Sequence, residues 1–107
     1  MRQAAHIKDI SKESGQEATV RGFVHALRVQ SKIVFIVVRD ITGLLQVVVT
    51  ADNPEFEIAK NLSIESVISV IGNVKEEKNA PGGFEIHPTK IEVLSVAAPE
   101  LPIPVVT

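Results

Sequence analysis

His6, His25 and His87 are the side chains that could move protons near neutral pH, and they lie far apart in the sequence. No HExxH pair sets two of them on one helix face for a metal, and neither a GxSxG nucleophile elbow nor a GxxxxGK[ST] phosphate cradle occurs. Cysteine is absent, which removes a thiolate nucleophile, a thiolate metal site and a disulfide framework, and is compatible with a reducing compartment. Each histidine therefore reads as a polar strand residue, and neither a catalytic nor a metal site is expected.

Binding chemistry is better supplied. In the run 33–39, Val34, Ile36 and Val38 form a purely aliphatic strand face, leaving Ile33, Phe35, Val37 and Arg39 on the other. In 44–50 the matching inner set is Leu45, Val47 and Val49, with Leu44, Gln46, Val48 and Thr50 pointing outward. Phe35 and Gln46 thus share a surface. An exposed ring is a stacking platform worth about 1–3 kcal/mol per nucleobase, and a neighbouring amide offers a donor and an acceptor to a base edge. A strand phenylalanine taken singly is more often core, but here the aliphatic face is complete without Phe35. Gln46 taken singly would be a solvated strand residue. Arg28, at the first hairpin tip, joins Lys32 and Arg39 in a basic edge, although Arg39 and Asp40 read first as a structural turn pair.

Five strands and a short helix must position these groups. Residues 19–29 and 33–39 are β-rich runs around a polar tip at 30–32. Asp40-Ile41-Thr42-Gly43 is a turn, with Gly43 available for a positive φ, and 44–50 is the third strand. Asn53 is placed to cap a helix that has Pro54 at its first position and Glu55 and Glu57 in its first turn, and that fades near Leu62. Strand four spans 65–75 and strand five 84–94, the latter interrupted at Pro88, which belongs at an edge or bulge. This order matches an all-β, five-stranded Greek-key barrel, the OB-fold, with one short α-helix between strands 3 and 4, although other small barrels share it. The barrel then occupies 17–96, with 1–16 an N-terminal extension and the proline-rich 97–107 a linker towards a domain outside this chain.

One domain is what 107 residues at 45% hydrophobic content allow, and without Trp or Tyr its core falls to Val, Ile and Leu. The net charge of −2 hides an asymmetry: residues 1–39 hold seven Lys and Arg against three acids, and 40–107 hold four against ten. A polyanion would meet the first part. General nucleic-acid glue is usually basic throughout, so a recogniser with a small basic edge fits better. With no run approaching the roughly 18 apolar residues of a membrane span and no apolar leader, a cytoplasmic location without membrane contact is expected.

Gly22-Phe23-Val24, Arg28, Phe35, Arg39-Asp40, Gly43 and Gln46 occur in one register within RGFVHALRVQSKIVFIVVRDITGLLQVVV, followed by SIESVISVIGNVK, APGGFEI and KIEVLSVAAPELPI. This ordered set, over roughly residues 17–104, resembles the N-terminal anticodon-binding domain of class IIb aminoacyl-tRNA synthetases. Its aspartyl and asparaginyl branches fit well and the lysyl branch poorly, the ending VAAPELPI leaning aspartyl. The resemblance implies that Phe35 stacks on the central anticodon uridine, Gln46 bonds its edge, Glu85 reads the first base and Arg28 lies against the loop. Glu92 is a weaker alternative to Glu85, and Lys32 a weaker contact. His25 and Pro81 stand where relatives accepting both aspartate and asparagine tRNAs tend to have His and Pro, whereas discriminating aspartyl relatives tend to have Trp and Lys; asparaginyl relatives share the His and Pro. Phe23 replaces the usual Trp, and the tip VQSK lacks the usual Gly.

By the same resemblance the partner is a tRNA anticodon loop, and the parent is a homodimeric aspartate–tRNA ligase whose ATP and Mg²⁺ belong to a separate catalytic domain. This chain alone then carries no cofactor and no enzyme activity. Two rivals are a free-standing single-strand binder, which calls for more aromatics and a basic charge, and a purely structural or protein-interaction barrel, which calls for a buried Phe35.

Overall fold

The computed structural model describes residues 5–96, so the expected linker 97–107 lies outside the described residues. Strands β1 (Glu17–Val29), β2 (Ile33–Asp40), β3 (Gly43–Thr50), β4 (Val67–Glu76) and β5 (Phe84–Ser95) form a closed barrel, and α1 (Phe56–Lys60) links β3 to β4. Around the barrel the order is β1-β2-β3-β5-β4, antiparallel everywhere except between β3 and β5. β1 is long enough to serve two partners: Glu17–Phe23 pairs with β4 and Phe23–Val29 with β2. It bends at a bulge where Val24 faces Val38 and Ala26 faces Val37, which leaves His25 as the extra residue.

Alternation sorts the side chains as expected. Val34, Ile36 and Val38 of β2 and Leu45, Val47 and Val49 of β3 are at most 1% exposed and join one core cluster with residues of every other strand. Val48 departs from the pattern: it stands on the outer face opposite Phe35 yet is only 7% exposed. No helix among the described residues is long and apolar enough to cross a membrane.

The stretch before β1 carries an element the sequence pattern did not suggest, a 3-10 turn (Ile7–Glu13) that buries Ile7 and Ile10 in the main core. Asp40 ties it down. Its carboxylate accepts the Ile7 N–H at 2.8 Å, the Thr42 N–H at 2.6 Å and hydroxyl at 2.5 Å, and the Gly43 N–H at 3.1 Å. Burial alone would raise the pKa of Asp40, but these hydrogen bonds outweigh it and hold the group below its ordinary 3.8. The stability that Asp40 contributes is therefore complete above the ordinary value and is lost as pH falls through the lower folded one. Because the carboxylate shapes this turn, no left-handed residue is needed, and Gly43 is not at positive φ.

The helix is shorter than the local signals predict, since α1 begins after Glu55 and ends at Lys60. Asn53 and Glu55 are drawn into longer-range bonds. The Asn53 amide accepts the Glu55 N–H at 2.8 Å and donates to the Pro88 carbonyl at 2.8 Å, while the Glu55 carboxylate accepts the Ile91 N–H at 2.7 Å. Asn53 thus closes the turn that enters the helix, as a capping residue does, and with Glu55 also tethers that entrance to β5.

Pro88 sits at a bulge, as its missing N–H requires: Ile71 pairs with Lys90 and Gly72 with Pro88, leaving Thr89 extra. Here β4 touches β5 backbone to backbone, since a Cβ on Gly72 would lie 2.3 Å from the His87 carbonyl oxygen and 2.6 Å from the Pro88 Cα. Gly72→Ala is therefore expected to cost about 1–3 kcal/mol of stability, read by urea unfolding. An unchanged midpoint would show that the two strands do not press together at this point.

Candidate nucleic-acid interface

Three rows of side chains cross the outer face of β1, β2 and β3 towards β5. The first runs Arg28–Phe35–Val48, consecutive residues in the cross-strand pairing. Phe35 is half-buried and outside the core cluster, with the Arg28 guanidinium carbon 5.3 Å from its ring centroid. The guanidinium lies over the ring, so a base that stacks on Phe35 either takes the place of Arg28 there or sandwiches the ring with it. The structural-barrel rival, which requires a buried Phe35, loses its support.

The second row runs Ala26–Val37–Gln46–Glu85–Lys75. Gln46 and Glu85 are adjacent because β3 and β5 meet there in parallel register, and the Gln46 amide nitrogen lies 3.2 Å from Glu85 Oε1. An ionised carboxylate only accepts, so Gln46 must turn its NH₂ towards it. That leaves one amide hydrogen and the amide oxygen of Gln46 for a ligand. The second carboxylate oxygen, Oε2, stands 2.6 Å from His87 Nε2, two residues along the same strand face. His87, read from sequence as an ordinary polar strand residue, is thus part of this site. The i, i+2 spacing was the available signal.

The third row lies around Arg39, which pairs across to Leu44. His25, at the β1 bulge, brings Nδ1 to 3.4 Å from Arg39 Nη1, and on the far side Gly82, next to Pro81, approaches the Leu44 backbone. His25 and Pro81 thus flank one end of the rows. Arg39 is not paired with Asp40. Its guanidinium binds the Glu65 carboxylate at 3.0 and 3.2 Å and lies 5.1 Å from the Phe23 centroid. Glu65 supports this pairing from a left-handed backbone, φ 69°. The basic edge then rests on Arg28 and on exposed Lys32 at the β1–β2 tip, a three-residue loop closed by Gln30 N–H to the Ile33 carbonyl at 2.9 Å.

Glu92 is not brought to these rows. It is exposed, seven residues beyond Glu85 on β5 and opposite Ser69 of β4. The three histidines fall into separate surroundings, and among the described residues no group of three His, Asp or Glu side chains could hold a metal ion.

A closed five-stranded barrel that shows an aromatic ring, an amide and a carboxylate on its β2–β3 side, flanked by the β1–β2 and β4–β5 loops, has the build of a nucleic-acid-binding OB-fold. Residues 18–94 match the family of OB-fold nucleic acid binding domains designated tRNA anti-codon, and the chain belongs to that family. It is 42% identical over 102 residues to the asparagine–tRNA ligase of Koribacter versatilis, covering 92% of this chain and 23% of that protein. To the aspartate–tRNA(Asp/Asn) ligase of Methanococcus maripaludis it is 40% identical over 106 residues, 95% of this chain and 24% of that protein. Among solved structures, asparaginyl-tRNA synthetase from Pyrococcus horikoshii superposes with a TM-score of 0.83 at 34% identity, covering 97% of this chain and 25% of that one. The chain spans about a quarter of the length of these relatives.

With Arg39 held by Glu65, few cations remain for phosphates. Binding of a single-stranded RNA loop is expected to give a log K against log[salt] slope of about −1.4 to −2, at roughly −0.7 per contact for two or three contacts. A slope near zero would remove Arg28 and Lys32 from the interface.

Proposed function

We propose that this domain reads the anticodon loop of tRNA as the recognition module of an aspartate–tRNA ligase that accepts both aspartate and asparagine tRNAs. The observation that carries the reading is the placement of Phe35, Gln46 and Glu85 in adjacent rows of one partly exposed face, the last two hydrogen-bonded to each other. Phe35 stacks on the central base. Gln46 then presents its free amide hydrogen to O4 of uracil and its amide oxygen to N3–H. Beside it the Glu85 carboxylate accepts from the N1–H and NH₂ of a guanine at the first position and repels the acceptor-rich edge of a pyrimidine such as uracil. Arg28 and Lys32 hold phosphates, fixing register without reading sequence. At the third position His25 and Pro81 leave room for cytosine or uracil.

On this reading aspartate activation, with ATP and Mg²⁺, takes place on a catalytic domain of a homodimeric parent, and this chain supplies discrimination alone. The asparagine–tRNA ligase relative keeps a second reading in view, in which the parent attaches asparagine.

A panel of anticodon stem-loops separates these outcomes. Phe35→Ala is expected to lose about 1–3 kcal/mol of affinity for every member, while cytosine and uracil at the third position bind within about tenfold, or 1.4 kcal/mol, of each other. Unchanged affinity in a folded Phe35→Ala would overturn the stacking role. A large preference for uracil would move the parent to the asparagine branch, and one for cytosine to a discriminating aspartyl enzyme.

A further inference from the structure

We infer that His87 is a positioning residue for first-base recognition: it clamps the Glu85 carboxylate against Gln46, so that the reading oxygens stand ready before RNA arrives. The inference rests on the assignment of Glu85 as the first-base reader.

The clamp is two-sided. Oε1 of Glu85 accepts from the Gln46 amide at 3.2 Å and Oε2 meets His87 Nε2 at 2.6 Å, so one donor engages each oxygen. At that separation a proton must lie between the two groups, and with the carboxylate ionised it resides on Nε2. Each oxygen keeps a further lone pair, which suits the two parallel donors of guanine. The Glu85 side chain is only 14% exposed and His87 34%, so the carboxylate is the more shielded of the two.

His87 is itself firmly based. It precedes Pro88, which restricts its backbone to extended conformations, and its carbonyl presses on Gly72, where a Cβ would come within 2.3 Å. An unclamped glutamate would lose its rotamer freedom on binding guanine, and the clamp removes that cost beforehand.

The experiment measures binding of this chain to stem-loops with guanine or uracil at the first position. His87→Ala is expected to lower the guanine preference about three- to tenfold, chiefly by weakening the guanine complex, with the salt slope and the Phe35-dependent affinity unchanged. His87→Gln, which restores an N–H donor, is expected to recover most of the preference. His87→Phe keeps a ring without the donor and should behave as the alanine variant, which serves if that variant does not fold. If Glu85→Gln abolishes the preference while His87→Ala and His87→Phe leave it intact, the positioning role is wrong and the Glu85 reading stands. If Glu85→Gln itself leaves the preference intact, the reading fails and takes the clamp with it; collapse in Glu92→Gln would then move the reader to Glu92.

Discussion

The barrel closes on two residue pairs. β3 and β5 run parallel and meet at Gln46 with Glu85 and Val47 with Ile86, so one short seam does two jobs. Val47 and Ile86 point inward, fully buried, and seal the core, while Gln46 and Glu85 point outward and bond to each other. Because strand side chains alternate, a slip of one residue would bury Glu85 and expose Ile86. Burying a carboxylate without compensation costs several kcal/mol, at about the scale of the fold's whole margin. The hydrophobic core therefore fixes the geometry of the polar pair, and recognition needs no separate scaffold.

That dependence also explains which parts of the molecule were legible in the sequence. The Phe35 surface could be read because Val34, Ile36 and Val38 supply a full inner face by themselves, and local alternation then decides where Phe35 goes. The strand order and the bulge at Pro88 followed from equally local signals. The short span of α1 did not, because the Asn53 amide nitrogen and the Glu55 carboxylate are engaged by Pro88 and Ile91, more than thirty residues away. Arg39 was misassigned for the same reason: its partner Glu65 lies 26 residues on, in a left-handed conformation that no composition rule marks. Ile7 and Ile10 give too short an apolar pattern to reveal the 3-10 turn. His87 was visible two positions from Glu85, but only the distance between them gives it a part in the site.

The charge distribution fits a domain that discriminates more than it grips. Arg28 and Lys32 sit at the β1–β2 end of the rows, and the acidic second part of the sequence contributes Glu85, which the proposed reading makes a reader of donors. Few phosphate contacts mean modest affinity, and on the proposed reading the remaining affinity comes from the rest of a parent protein about four times as long. Aromatic content points the same way. Of four phenylalanines, Phe56 is buried in the core, Phe84 packs against it and Phe23 lies under Arg39, leaving Phe35 alone beside the amide and carboxylate. On the proposed reading, one stacking ring flanked by an amide and a carboxylate suits a short, defined base sequence, whereas sequence-tolerant single-strand binders line several rings along a channel.

On the proposed reading RNA is met on the outer face of β2, β3 and β5, with Gln46 and Glu85 at its centre. Amide chemical shifts of this chain, followed by NMR during titration with an anticodon stem-loop carrying guanine and uracil at its first two positions, test it most directly. The largest changes are expected on Arg28, Phe35, Gln46, Glu85 and His87, fading along β5 before Glu92. Changes centred instead on Arg21, Ser69 and Glu92, across β1, β4 and the far end of β5, would contradict it.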